Sequence, residues 1–366
     1  MLGLAHLGFR LSDYSQHLGS YLGAHGFETA LAGIQHEWWK EPPSPLPYNH
    51  VLDEGVVYDR ADPRSDLIAA GAAADFLRKR KDPRPFFLSC GFFYPHRIHP
   101  KPGPHINPDR LCLPAGLPDH PEVRQDLAGQ IAATEWMDRA FQEVWTAIRE
   151  TGRDRDSLIF FTTDHGIPFP GAKCHLKDAG TGVALMLLAP DLARPGAASD
   201  ALISQIDLFA TACDYAGVPI PPWNRGVSLR PLIASPVDLP GHDAVFSEVN
   251  FHVAYEPKRS IRTHRHRYVR NYLADGGPAP LSNIDPSGTK AWMIAQRALP
   301  LMPVGEELYD LVSDPSERDN LATDPSHANV LADLRARLDA WMLETSDPLL
   351  AGTIPHPPGA RIEPRV

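Results

Sequence analysis

Cysteine is scarce in this chain of 366 residues: Cys90, Cys112, Cys174 and Cys213 are the only four, and no two form a C-x-x-C pair. That excludes a disulfide framework and gives no sign of structural zinc. Long apolar runs are also missing, and nothing approaches the ~20 residues a helical membrane span requires. Positive charge is not in excess. The formal net charge is −10 and is spread along the chain, which argues against a nucleic-acid binder held by a general basic surface. Residues 1–9 lack the basic start, apolar stretch and small-residue cleavage site of a secretory leader, so the chain as written reads as cytoplasmic. They also lack the buried strand that usually opens an α/β domain, and read like the middle of a longer sequence.

What is present is the composition of a folded, soluble protein, 43% apolar and 22% charged. The length predicts one large domain with a smaller companion. The 38 prolines are about twice the usual share and predict stiff, ordered loops.

The first part alternates helices and strands. Apolar spacing predicts helices at 13–24, 62–81, 122–150 and 205–216, the second with Asp62 as cap and Pro63 at its first turn. Between them lie apolar stretches without polar alternation, 29–33, 85–93, 157–163 and 183–189, as expected of strands buried on both faces of a parallel sheet. This predicts a doubly wound α/β domain over 1–235. From 240 to 366 the pattern changes. Alternating stretches at 244–253 and 260–272 and a helix at 327–344 predict a smaller α+β domain with an antiparallel sheet.

Ligands of open α/β sheets bind beyond the carboxyl ends of the strands. Three strand ends here carry reactive side chains: Gln35-His36-Glu37, Tyr94-Pro95-His96-Arg97 and Asp164-His165-Gly166. Each has a plainer reading as a surface histidine or a turn residue, and Lys173 and His175 read equally well as solvated charges. With 17 histidines in the chain, some are incidental; His99, His105, His120 and His242 have no partner visible in sequence. The basic stretch 258–267 reads as a strand with a solvated basic face, an anionic substrate being its alternative partner.

At these residues the chain resembles the sulfatase family of the alkaline-phosphatase superfamily, most of all its heparan N-sulfatase (sulfamidase) branch and bacterial members. The stretch from Phe86-Phe87-Leu88 to Tyr94-Pro95-His96-Arg97 is similar to that family's strand and Pro-His loop. SLIFFTTDHGIPFPGAK (157–173) resembles its metal-binding strand and turn, and ELYDLVSDPSERDNLATDP (307–325) its C-terminal signature. The resemblance implies an alkaline-phosphatase-like, mainly parallel doubly wound sheet and a metal-dependent sulfuric ester hydrolase acting on sulfate esters or N-sulfated sugars. Asp164 and His165 would be metal ligands, with calcium expected and magnesium or manganese as alternatives. His165 stands where asparagine is common, and imidazole is a less usual ligand for a hard ion. His96 and Lys173 match residues that hold the sulfate or protonate the leaving group. His36 matches the histidine of a Gly-Lys-x-His loop whose lysine is replaced here by Ile34.

The family nucleophile, a formylglycine made from the cysteine of C-x-P-x-R, has no match in these residues; Cys112-Leu113-Pro114-Ala115-Gly116 has glycine where arginine is required and lies out of order. The resemblance places that motif, and a strand ending in paired aspartates, upstream of the region where this sequence begins. The expectation is therefore a truncated or mis-started sulfatase lacking its first strand, with a sulfated sugar or small molecule as substrate. The alternatives are a non-catalytic family member that binds a sulfated glycan or a protein partner, and a phosphodiesterase or phosphonate hydrolase of the same superfamily.

Overall fold

The structure, a computed structural model, describes residues 11–38, 42–59, 61–273, 278–299, 302–356 and 362–363. The opening stretch 1–9 considered above lies outside the described residues. In chain order the elements of the first part are α1 (Leu18–Ala24), β1 (Glu28–Gly33), β2 (His50–Val51), α2 (Ser65–Lys79), β3 (Phe86–Gly91), α3 (Pro121–Glu150), β4 (Ile159–Thr162), α4 (Asp178–Thr181), β5 (Leu185–Leu188), α5 (Ile206–Ala216) and α6 (Arg230–Ile233). They are followed by β6 (Ala244–Phe251), β7 (Tyr255–Thr263), β8 (His266–Asn271), α7 (Gly288–Ala295), β9 (Glu306–Asp310) and α8 (Ala328–Glu344). Among the described residues no helix is long and apolar enough to cross a membrane.

β1 is the middle strand of a parallel sheet ordered β2-β1-β3 and pairs with β3 in register from Glu28–Phe86 to Gly33–Gly91. The alternation of strands and helices anticipates this parallel core. α2 and α3 cover one face through an alanine-rich seam, Ala70, Ala73, Ala74, Ala140 and Ala147, filled out by Leu77, Val144 and Ile148. Small side chains let the two helices approach closely, while each buried Leu, Val or Ile contributes about 1.5–3 kcal/mol.

Two expectations are corrected here. β5 runs antiparallel to β4, with Ile159 opposite Leu188 and Thr162 opposite Leu185, because an apolar run without alternation does not reveal strand direction. All six residues of β3 are only half-buried, as one edge of the strand faces a cavity of about 2580 Å³ instead of a neighbour. The cap of α2 also differs from the reading: Arg64 is the cap residue and its side chain makes no capping hydrogen bond, while its guanidinium holds Asp62 at 2.6 Å.

Beyond residue 240, β6-β7-β8-β9 form an antiparallel sheet, with α8 packed on it through Leu331, Leu334, Leu338 and Met342. The predicted stretch 260–272 is two strands joined at a turn. The basic segment 258–267 does not present a solvated face, which overturns that reading. Lys258, Arg259 and Arg267 are buried. Arg259 grips Asp347 through two bonds of 2.5 and 2.9 Å, and Arg262 and Arg267 both reach Asp178 at the start of α4. The carboxylates that bind these arginines lie far along the chain, where strand alternation gives no hint of them.

Candidate active site

β1, β3 and β4 end on one edge of the molecule, so the loops that follow them meet there. Glycine permits the crowding at this edge. Gly33 has φ +82°, and a Cβ on it would stand 2.0 Å from the Gly91 carbonyl oxygen; the turn into His36 is possible only without a side chain. The loop after β3 is held by the buried Asp66 of α2, whose carboxylate accepts the amides of Phe93 and Tyr94 at 2.7 and 2.9 Å. Burial outweighs those two bonds and raises the Asp66 pKa. Arg97 then ties this loop to α3 and to the loop after β4. It pairs with Asp126 at 2.5 Å, donates to the Pro168 carbonyl at 3.0 Å, and lies over the Phe169 ring.

On this scaffold His36, His96, Asp164 and His165 all line the same cavity. His96 donates from Nδ1 to the Arg97 carbonyl at 2.5 Å, so in the neutral ring Nε2 is the basic nitrogen. His165 is fixed in the same way: Nδ1 donates to the Gly166 carbonyl at 2.8 Å. Its Nε2 lies 3.7 Å from Asp164 Oδ2, while its backbone amide donates to Asp164 Oδ1 at 3.0 Å. A carboxylate and an imidazole Nε2 thus stand side by side, an arrangement that suits a shared divalent ion. They are two donors where calcium takes six to eight, and among the described residues no group of three His, Cys, Asp or Glu is placed to hold a metal.

Lys173 is placed differently. It does not line the cavity; its buried Nζ donates to Asp285 Oδ2 at 2.8 Å. Burial opposes ionisation of Asp285, but the Lys173 bond and charge, helped by the charges of His96 and His252, hold its carboxyl below the usual range. Asp285 is a partner for Lys173 that the sequence did not disclose. It lies 112 positions from Lys173, in an Asp-Pro-Ser segment whose visible signal is only the Ser287 cap of α7.

The buried cysteines offer no ready nucleophile. Burial pushes the thiols of Cys90 and Cys174 up to about 12, so neither is a thiolate near neutral pH, and Cys112 is exposed. Three of the histidines without visible partners acquire ordinary ones: His242 meets Asp207 at 2.9 Å, His105 meets Glu135 at 2.8 Å, and His120 caps α3. His99 lies 3.6 Å from Asp126, beyond hydrogen-bond length, and both of its buried ring nitrogens lack a hydrogen-bond partner.

Comparison with known proteins agrees with this geometry. The sulfatase family model matches residues 5–218. Human N-sulphoglucosamine sulphohydrolase is 29% identical, over 93% of this chain and 76% of that protein. The Delta 4,5-hexuronate-2-O-sulfatase of Bacteroides thetaiotaomicron is 28% identical, over 58% of this chain and 40% of its own length. Among solved structures, a protein in complex with its substrate D-glucosamine-2-N,6-O-disulfate superposes with a TM-score of 0.69 at 16% identity, over 92% of this chain and 84% of that one. Strand order, the histidine and aspartate loops at one edge and the extent of the family match lead to one conclusion: the chain belongs to the sulfatase family.

Proposed function

We propose that this chain serves a sulfatase-family hydrolase of sulfated sugars, in which Asp164 and His165 hold a divalent cation and His36 and His96 serve the sulfate group, with Lys173 held back from it on Asp285. The observation that carries this reading is the convergence of His36, His96, Asp164 and His165 on one cavity at the carboxyl edge of the strands. The human relative and the disulfate-bound neighbour support a sulfated amino sugar as the substrate class.

A divalent ion bound there would supply positive charge against the sulfate oxygens as the S–O or S–N bond breaks. The chain's own residues do the remainder. His96, anchored through Nδ1, is set to exchange a proton at Nε2 with a leaving group. Ile34 contributes no charge where the family loop has lysine, and Lys173 shares its charge with Asp285. The anion site is therefore less positive than two free lysines would make it. The 366 residues contain no C-x-P-x-R motif, so the residues in hand carry the binding part of the chemistry and not the nucleophile.

The test is calorimetric titration of the purified chain with N-sulfated glucosamine, with and without calcium. Binding that calcium strengthens in the parent and not in Asp164→Ala is the expected result. Binding indifferent to calcium and to Asp164→Ala would sink the proposal. A second reading, a non-catalytic binder of sulfated glycans, is favoured by the missing motif. It predicts the same binding with no turnover by any longer form of the protein.

A further inference from the structure

The stretch 307–325 singled out in the sequence has no part in the proposed chemistry, yet it reaches the site. After β9 the chain turns on Asp314, whose carboxylate accepts the amides of Arg318 and Asp319 at 2.7 and 2.9 Å. This turn brings Pro315, Ser316 and Glu317 to the wall of the cavity that His165 lines. Glu317 is buried there in the left-handed region, at φ +52°, a conformation that a residue other than glycine keeps only where its contacts hold it. Those contacts are with α4. Oε2 accepts the Asp178 amide at 2.6 Å, an acceptor that the cap residue Lys177 does not supply from its own side chain. The Glu317 carbonyl accepts Lys177 Nζ at 3.1 Å. Buried Arg267 of β8 closes the group. Its Nε faces Glu317 Oε1 at 3.1 Å, and its guanidinium reaches Asp178, the Leu176 carbonyl at 2.6 Å and Thr181 Oγ1 at 3.1 Å.

α4 in turn meets the Asp164-His165-Gly166 turn backbone to backbone. The Gly166 amide donates to the Gly180 carbonyl at 2.9 Å, and the Gly166 carbonyl accepts His165 Nδ1. A Cβ on Gly166 would stand 2.0 Å from the Ala179 carbonyl oxygen, and one on Gly180 would stand 2.2 Å from those of Ala172 and His175. Close-packed backbone has no soft side chain to absorb a displacement, so a shift of α4 moves Gly166 and with it the ring of His165. We propose that Glu317 is a positioning residue for the Asp164-His165 pair: Glu317 and Arg267 fix α4 to the antiparallel sheet, and α4 fixes the His165 ring beside Asp164. The consequence for cation affinity rests on the function proposed above; the fixing of the turn does not.

The experiment uses the purified 366-residue chain with isotope-labelled histidine, the His165 signals being assigned from His165→Gln. Ring nitrogen shifts report the His165 tautomer, hydrogen exchange read by mass spectrometry reports the amides of 164–167, and calorimetry reports calcium affinity. In Glu317→Ala the expected result is exchange at 164–167 at least tenfold faster and a His165 ring moved from one tautomer toward a mixture. Calcium should bind at least tenfold more weakly, as when a partner that orients a ligand is lost. Glu317→Gln keeps an oxygen for the Asp178 amide and should stay within threefold of the parent in exchange and affinity. Arg259→Ala removes a buried pair on Asp347 from the same sheet and should lower the urea midpoint with 164–167 unchanged. Unchanged exchange and nitrogen shifts in Glu317→Ala overturn the proposal, as does calcium bound equally well by that variant and the parent. An equal effect from Arg259→Ala also overturns it, since that would be general loosening of the sheet. If Glu317→Ala does not fold, Asp178→Asn decides by the same readings: exchange at least threefold faster at 164–167 supports the proposal, and unchanged exchange overturns it. Calcium that does not bind the parent sinks the cation site proposed above, and exchange and nitrogen shifts then decide the positioning alone.

Discussion

The side chains at the site divide into those the cavity presents and those the fold neutralises. Asp164 has an 86% exposed side chain and is presented; Asp164→Ala should weaken calcium binding at least tenfold by calorimetry, since ligand-shell changes cost that much or more. Lys173 is neutralised. With its side chain 8% exposed against 16% for Asp285, Lys173→Ala strands a buried carboxylate and should cost about 3–5 kcal/mol in urea unfolding. The pH dependence follows from the depressed carboxyl of Asp285. A folded-state pKa below the unfolded value gives stability that is complete above the unfolded pKa, near 4, and is lost as pH falls through the folded value. The stability gap between the parent and Asp285→Asn should therefore be constant from pH 5 to 7 and close below about pH 4. A gap that persists to pH 2 would show that the pair is not the source.

Elements depend on contacts that their own sequence does not announce. The turn out of β1 rests on Gly33 at φ +82° against the Gly91 carbonyl. Gly33→Ala should cost at least about 1–3 kcal/mol in thermal or urea unfolding and disturb the loop that carries His36. In the antiparallel sheet the arginines of one basic stretch have very different weights. Arg259 is fully buried on Asp347, whereas the Arg265 side chain is 64% exposed beside Asp310. Arg259→Ala should lose about 3–5 kcal/mol and Arg265→Ala about 0–1 kcal/mol; equal losses would contradict the structure. The sequence showed where most of these elements run, as at α3, where apolar spacing predicts a helix at 122–150 and the structure has one at Pro121–Glu150. It did not show that β5 turns back along β4, because four apolar residues look the same in either direction.

For the molecule as a whole, two open strand edges facing one cavity are an aggregation hazard. The 366-residue chain should precipitate more readily than a form extended upstream in frame, as light scattering during concentration would report. It should also give no sustained release of sulfate from an aryl sulfate or N-sulfated glucosamine with calcium present, because covalent sulfate transfer needs an activated nucleophile and the thiols of Cys90 and Cys174 are raised. Sulfate release that is lost in Asp164→Ala would locate a nucleophile elsewhere. Sequence alone determined the alternating α/β core, the antiparallel part after residue 240 and the gathering of His36, His96, Asp164 and His165 at strand ends, because apolar periodicity is local and wound strands end on a common edge. Only the tertiary structure decided that Lys173 is tied to Asp285, that Arg259 and Arg267 of the basic stretch are buried on Asp347, Asp178 and Glu317, and that β3 and β4 both line one cavity. Those are pairings between residues tens to more than a hundred positions apart, set by how layers stack, and no local pattern encodes which distant charge or edge a residue will meet.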